Sequence, residues 1–119
     1  MLFNTGAIGM MRSSLEGLSV QQQVILHNLA NLDTPGYKAK YVSFEDTLRN
    51  TEAGRNGSYN LKARIMTDEA TKIRPDGNNV DSDTQSLALY QNYVQQLAIY
   101  QKISGQFTNL RYVLNQFTK

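Results

Sequence analysis

Apolar side chains recur at steps of three and four residues near both ends of this sequence, and no other feature restricts the possible folds as strongly. Toward the amino terminus the series runs Ile8, Met11, Leu15, Leu18, Gln22, Ile25, Leu29 and Leu32. That is a heptad seam with one polar interruption. Arg12, Glu16, Gln21 and Gln23 fall between these positions and keep the other face wet. The pattern predicts an amphipathic helix from about Gly6 to Asn31, roughly 40 Å long at 1.5 Å per residue. Toward the carboxy terminus Leu89, Tyr93, Gln96, Tyr100, Ile103, Phe107, Leu110, Leu114 and Phe117 repeat the spacing, again with a single glutamine. Leu87, Tyr90, Val94 and Leu97 widen this second stripe beyond what one partner helix covers. Asp81 or Asp83 is expected to cap the helix, because a short side-chain oxygen can accept from first-turn amides. Gly105 costs the helix about 1 kcal/mol relative to alanine and marks a bend or a close approach.

The segment between the helices opens on Asn31-Leu32-Asp33-Thr34-Pro35-Gly36-Tyr37. Proline pushes Thr34 out of the helical region, and Pro35-Gly36 supplies the negative and then positive φ of a type II turn. The first helix should therefore stop near Asn31. Ser43 to Leu48 reads as a short capped helix with Tyr41, Phe44 and Leu48 on one face. Residues 50–58 read as a polar loop. Leu61, Ala63 and Ile65 alternate with Lys62 and Arg64, which suggests a strand paired with residues near Ile73. Arg74-Pro75-Asp76-Gly77-Asn78-Asn79 is a turn cluster. The fold class is thus mainly α: two long terminal amphipathic helices paired as a coiled-coil-like hairpin, with a short irregular, β-containing middle. The expected divisions are 1–37 for the first helix and its turn, 38–80 for the middle and 81–119 for the second helix, all within one domain. A length of 119 residues leaves room for no more.

Chemistry is sparsely represented. The absence of cysteine excludes disulfides and thiolate metal sites. His27 is the only histidine, so a zinc site is not expected and an imidazole on a helix surface or interface is. Glu45/Asp46 and Asp68/Glu69 are sequence neighbours that point apart on a helix, which does not suit paired acid–base work. Phosphate-binding glycine loops and a nucleophile elbow are missing. Asn56-Gly57-Ser58 matches a glycosylation sequon of the kind that arises by chance. A net charge of +2, with Lys38/Lys40 and Lys62/Arg64 scattered among acids and amides, argues against nucleic acid as a partner. Tyr90, Tyr93, Tyr100 and Tyr112 lie among Leu and Val, where packing is the expected role rather than base stacking. A secretory signal is not apparent, and no apolar run approaches the ~18 residues needed to cross a bilayer, so membrane insertion is not expected. Neither catalytic residues nor a cofactor are assigned.

A two-helix hairpin without a second layer leaves apolar surface uncovered, and further helices must come from other chains. The expected assembly positions are Ile8, Met11, Leu15, Leu18, Ile25 and Leu29 on the first helix, and Tyr93, Leu97, Tyr100, Ile103, Phe107, Leu110 and Leu114 on the second. Tyr93 and Tyr100 should meet one neighbour, and Tyr90 and Leu97 another. Heterologous contacts whose rotation does not close would give an open tube.

Asn28-Leu29-Ala30-Asn31-Leu32-Asp33-Thr34-Pro35-Gly36-Tyr37-Lys38 resembles the signature that ends the amino-terminal helix of flagellar basal-body rod and hook proteins. Asp76-Gly77-Asn78-Asn79-Val80-Asp81, followed by a helix rich in tyrosine and glutamine, is similar to the matching region of the proximal rod proteins, and Phe44 before acidic residues and Leu48 also fits. The resemblance covers about residues 1–50 and 74–119. It implies a non-enzymatic rod subunit that transmits torque and is exported unfolded through the flagellar type III apparatus without a cleaved signal. It also implies that Asn28, Asn31, Thr34, Pro35, Gly36 and Tyr37 form the helix-terminating turn. The implied partners are other copies of the chain, the rod protein FlgC, the adaptor FliE and the export apparatus. Ser82, Gln85 and Ser86 depart from the leucine, acid and methionine common in the family, so the start of the second helix is expected to pack loosely. The middle reads as short for the family, leaving no extra domain to touch the ring. The competing readings are FlgC itself, a cytoplasmic helical secretion chaperone or adaptor, and an enzyme, for which no residues are nominated.

Overall fold

A computed structural model describes residues 5–44, 63–71 and 74–118. The first stripe folds as helix α1, Thr5–Ala30, and the second as helix α2, Ser82–Phe117. α1 ends one residue before the expected Asn31. Of the two candidate caps, Asp81 takes the position: its carboxylate accepts from the Asp83 amide at 3.1 Å and the Thr84 hydroxyl at 2.8 Å. α2 runs unbroken through Gly105, and no atom of another part of the chain comes near that glycine. The expected bend or close approach there is not found within the chain.

Two four-residue strands, β1 (Lys40–Ser43) and β2 (Arg64–Thr67), pair antiparallel with Lys40 opposite Thr67 and Ser43 opposite Arg64. The strand expected around Leu61–Ile65 therefore exists a few residues later, and its partner among the described residues is β1; Ile73, the expected partner, lies outside them. Local alternation predicts a strand without naming its partner, because pairing is decided by what the strand packs on. Here Val42 is buried while its neighbour Tyr41 is exposed, so β1 lays one side chain on α1. Ser43, expected to start a short helix, closes β1. The rest of that helix and the 50–58 loop lie outside the described residues.

The helices are antiparallel, with Asn28 bonded to Gln85 and Gln22 bonded to Gln96. Among the described residues five aliphatic side chains form the core: Leu18, Val24, Ile25, Val42 and Val80. Each contributes about 1.5–3 kcal/mol when removed from water, a thin apolar contribution. Gly17 adds a close contact, since a β-carbon there would fall 2.6 Å from the Phe44 ring, so Phe44 packs against α1. The molecule measures 70 × 32 × 13 Å, so in its thinnest direction it is about one helix deep. At 1.5 Å per residue α2 exceeds α1 by roughly 15 Å. Over that end Phe107, Leu110, Arg111 and Leu114 line an open groove whose described lining all belongs to α2.

The cap makes this fold sensitive to acid. The Thr84 hydroxyl, followed by the Asp83 amide, holds the Asp81 carboxyl below the usual carboxylate range. A depressed folded-state value means that the stabilisation is present above the unfolded value and is lost as pH falls through the folded one. Thermal denaturation should show a falling midpoint between about pH 6 and about pH 3, and Asp81→Asn should flatten that dependence.

Candidate functional site

The two turn motifs, far apart in sequence, lock together at the end of α1. Pro35 and Gly36 occupy the middle of a turn closed by the Tyr37 amide donating to the Thr34 carbonyl at 3.3 Å, with Gly36 at φ +72° as a type II turn requires. A second turn, Arg74 to Gly77, closes through the Gly77 amide on the Arg74 carbonyl at 3.1 Å. The turns sit back to back. The Gly36 amide donates to the Asp76 carbonyl at 3.0 Å, and a β-carbon on Gly77 would lie 3.6 Å from the Gly36 α-carbon.

Three buried asparagines bind the junction. Asn28 is fully buried and uses its whole hydrogen-bonding capacity. Its amide donates to the Lys40 carbonyl at 2.7 Å and to Gln85 Oε1 at 3.0 Å, while its Oδ1 accepts from the Lys40 amide at 2.9 Å and the Tyr37 hydroxyl at 3.1 Å. One side chain thus ties α1 to the turn, to β1 and to α2. Gln85, expected to loosen this end, instead supplies an acceptor, as the family's acid could.

Asn78, also fully buried, braces the turn that follows α1 from across the chain. Its amide group reaches the carbonyls of Asn31, Leu32 and Thr34 at 2.8–3.0 Å, and its Oδ1 accepts from the Val80 amide at 2.8 Å. Those carbonyls lie beyond the last helical residue, Ala30, and each has a second donor: the Thr34 amide, the Arg74 guanidinium and the Tyr37 amide in turn. The Arg74 guanidinium joins it on the Leu32 carbonyl at 2.6 Å, where a cation also suits the negative end of the helix dipole. Asn79 donates to the Asp68 carbonyl at 2.7 Å and accepts from the Ala39 amide, joining the chain after β2 to the chain before β1. Lys38 closes the far side on the Gly77 carbonyl at 2.7 Å.

The expected turn residues all belong to this junction. Asn31 donates to the His27 carbonyl at 2.8 Å and accepts from the Thr34 hydroxyl at 3.1 Å. Burial raises the Tyr37 hydroxyl above its ordinary range. The hydroxyl donates to Asn28 Oδ1 and lies 3.0 Å from His27 Nδ1, which the Asn31 amide nitrogen also faces at 3.3 Å. His27 is an exposed residue on the surface of α1, as the sequence reading expected. Asn78 and Asn79 were legible only as part of a motif, because the partners of their amide groups lie 11 to 47 positions away.

Outside the junction, polar chemistry is slight. Arg12 and Glu16 form an ion pair at 3.2 Å with both side chains mostly exposed, an arrangement worth little. Among the described residues no three His, Asp or Glu side chains group to hold a metal, and no helix is long and apolar enough to cross a membrane.

The expected assembly residues divide in three. Leu18 and Ile25 are 7% and 5% exposed and belong to the internal core, so their role is within the chain. Ile8, Met11, Leu15, Leu29, Ile103 and Leu110 are half-buried. Tyr93, Leu97, Tyr100, Phe107 and Leu114 stay between 44% and 60% exposed. The face that α2 turns to α1 carries Gln85, Leu89, Asn92, Gln96, Ile99 and Ile103, none of them classed as exposed. It is rotated by about 60° from the seam read in the sequence.

This junction lies on the two motifs that carry the family resemblance. The chain is 33% identical over 122 residues to the flagellar basal body rod protein FlgB of Bacillus subtilis (strain 168), covering 92% of this chain and 94% of that protein. The chain belongs to the FlgB family of flagellar basal body rod proteins. FlgB of Proteus mirabilis is 32% identical over 125 residues, covering 85% of this chain and 90% of the relative, and FlgB of Escherichia coli (strain K12) is 25% identical over 127 residues, covering 91% and 92%. No protein-family model matches the chain. As a FlgB family member the chain is a structural subunit of the basal-body rod.

The junction predicts a specific defect. Asn78→Ala leaves the Val80 amide without its partner and takes one of two donors from each of three carbonyls, and should lower stability by about 1–3 kcal/mol, the cost of one buried unsatisfied group. Urea unfolding checks this through a lower midpoint at unchanged slope. Asn78→Asp, which presents oxygen to the same carbonyls, should not recover the loss.

Proposed function

We propose that the chain builds the proximal rod by packing its terminal helices against those of neighbouring copies and of an FlgC-like rod protein, forming a helical tube that carries torque. One observation carries this reading: on a helix already packed along one side, Tyr93, Leu97, Tyr100, Phe107 and Leu114 keep about half their surface in water. Contiguous apolar surface of this kind marks an association site. The thin core supports the same reading, because two helices one layer deep gain most of their stability from what covers them. Half-buried Ile8, Met11, Leu15 and Leu29 supply the complementary stripe on α1. In the assembled rod the junction passes load from α1 to α2 through buried hydrogen bonds. FliE and the export apparatus are the proposed partners at the base, with export proceeding without signal cleavage.

Leu97→Asp with Tyr100→Asp places two charges on this face without touching the core. The variant should keep the helical circular dichroism of the parent and abolish rod assembly and swimming; a variant that swims normally removes this face from the interface. Hydrogen exchange separates the reading from that of a cytoplasmic chaperone. The terminal helices should exchange rapidly in the isolated chain and slow when rod partners are added. Full protection in a small closed oligomer without partners would favour the chaperone.

A further inference from the structure

Two stripes of α2 compete for α1. Leu89, Gln96, Ile103 and Leu110 are common to both, since they repeat every seven residues. On one side of that line stand Tyr93, Tyr100 and Phe107; on the other stand Asn92, Ile99 and Gln106. By apolar area alone α1 should settle over the three aromatic rings. It settles over the second set, leaving Tyr93 and Tyr100 at 60% and 56% exposure and Asn92 at 1%.

What distinguishes the chosen side is a cluster of four amides. Asn92 Nδ2 donates to the Leu18 carbonyl at 2.9 Å and to Gln21 Oε1 at 2.8 Å. Gln96 Nε2 donates to Asn92 Oδ1 at 2.6 Å and to Gln22 Oε1 at 3.2 Å. Gln22 and Gln96 are the single polar interruptions of the two heptad seams, and the fold brings them together. Among the described residues no buried side-chain polar atom lacks a partner. A polar side chain in a helix–helix seam selects one register, generally at some cost in stability, because every other arrangement buries it unpaired.

We propose that Gln21, Gln22, Asn92 and Gln96 act as a rotation lock: they fix which side of α2 meets α1 and thereby keep the Tyr93–Tyr100–Phe107 stripe facing outward. Turning α2 by about 60° would cover those rings with the chain's own α1 and strand Gln22 and Gln96 beside them. The lock is a property of the single chain. Its usefulness, holding the stripe open for a neighbour, rests on the assembly reading above.

The test is tyrosine nitration of the full-length isolated chain by tetranitromethane, read residue by residue by mass spectrometry. Asn92→Leu with Gln96→Leu should reduce the reactivity of Tyr93 and Tyr100 severalfold relative to the parent. Tyr112, near the overhanging end of α2, serves as the internal reference. Gln91→Leu, on an exposed position away from α1, should change neither tyrosine. Unaltered reactivity of Tyr93 and Tyr100 in a double variant that keeps its helical circular dichroism overturns the lock. If the double variant loses that signal, Gln96→Leu alone carries the test, because Asn92 keeps its bonds to the Leu18 carbonyl and Gln21; a smaller fall at the same two tyrosines supports the lock and no fall overturns it. Failure of the parent chain to assemble would count against the assembly reading alone, since nitration is measured on single chains.

Discussion

The structure depends on the hydrogen bonds that join the turn after α1 to the turn before α2. Asn78 donates to three carbonyls of the first turn from more than forty residues away, and Asn28 answers in the other direction by bonding β1 and α2. Each asparagine has one carbonyl oxygen and one amide group at the end of a short, stiff side chain. That makes it suited to bridging a donor and an acceptor on separate segments within a few ångströms. The segments between the helices are thus held by amide hydrogen bonds, with five aliphatic side chains in support.

The same economy governs the helix pair. α1 and α2 meet through Asn92, Gln96, Gln21 and Gln22 as much as through Leu18 and Ile25. A protein meant to stand alone would place its tyrosines inside. In the proposed assembly the apolar surface of α2 lies between chains, and an amide-rich inner face gives the two helices a defined geometry without consuming that surface. Stability of the single chain and strength of the assembly are then set by different residues on the same helix.

Much of this was legible beforehand. The step of three and four located both helices to within a residue or two, the Thr34-Pro35-Gly36-Tyr37 turn followed from the φ preferences of proline and glycine, and Asp81 was one of two foreseen caps. These are local properties, decided by neighbours within a turn. The pairing of β2 with β1 and the contact of Phe44 with Gly17, 27 positions earlier, are not local and could not be read from neighbouring residues.

What the sequence by itself determined is the plan: two long helices, where each begins and ends, the absence of cysteine chemistry, and through two short motifs the kind of protein it is. Only the tertiary structure decided that the motifs clasp each other, and which side of α2 faces inward. The physical reason is that apolar periodicity defines a stripe to within about 60°, while the choice inside that range falls to buried amides. An amide's contribution depends on having a partner at about 3 Å, and that partner is identified only when the chain is folded.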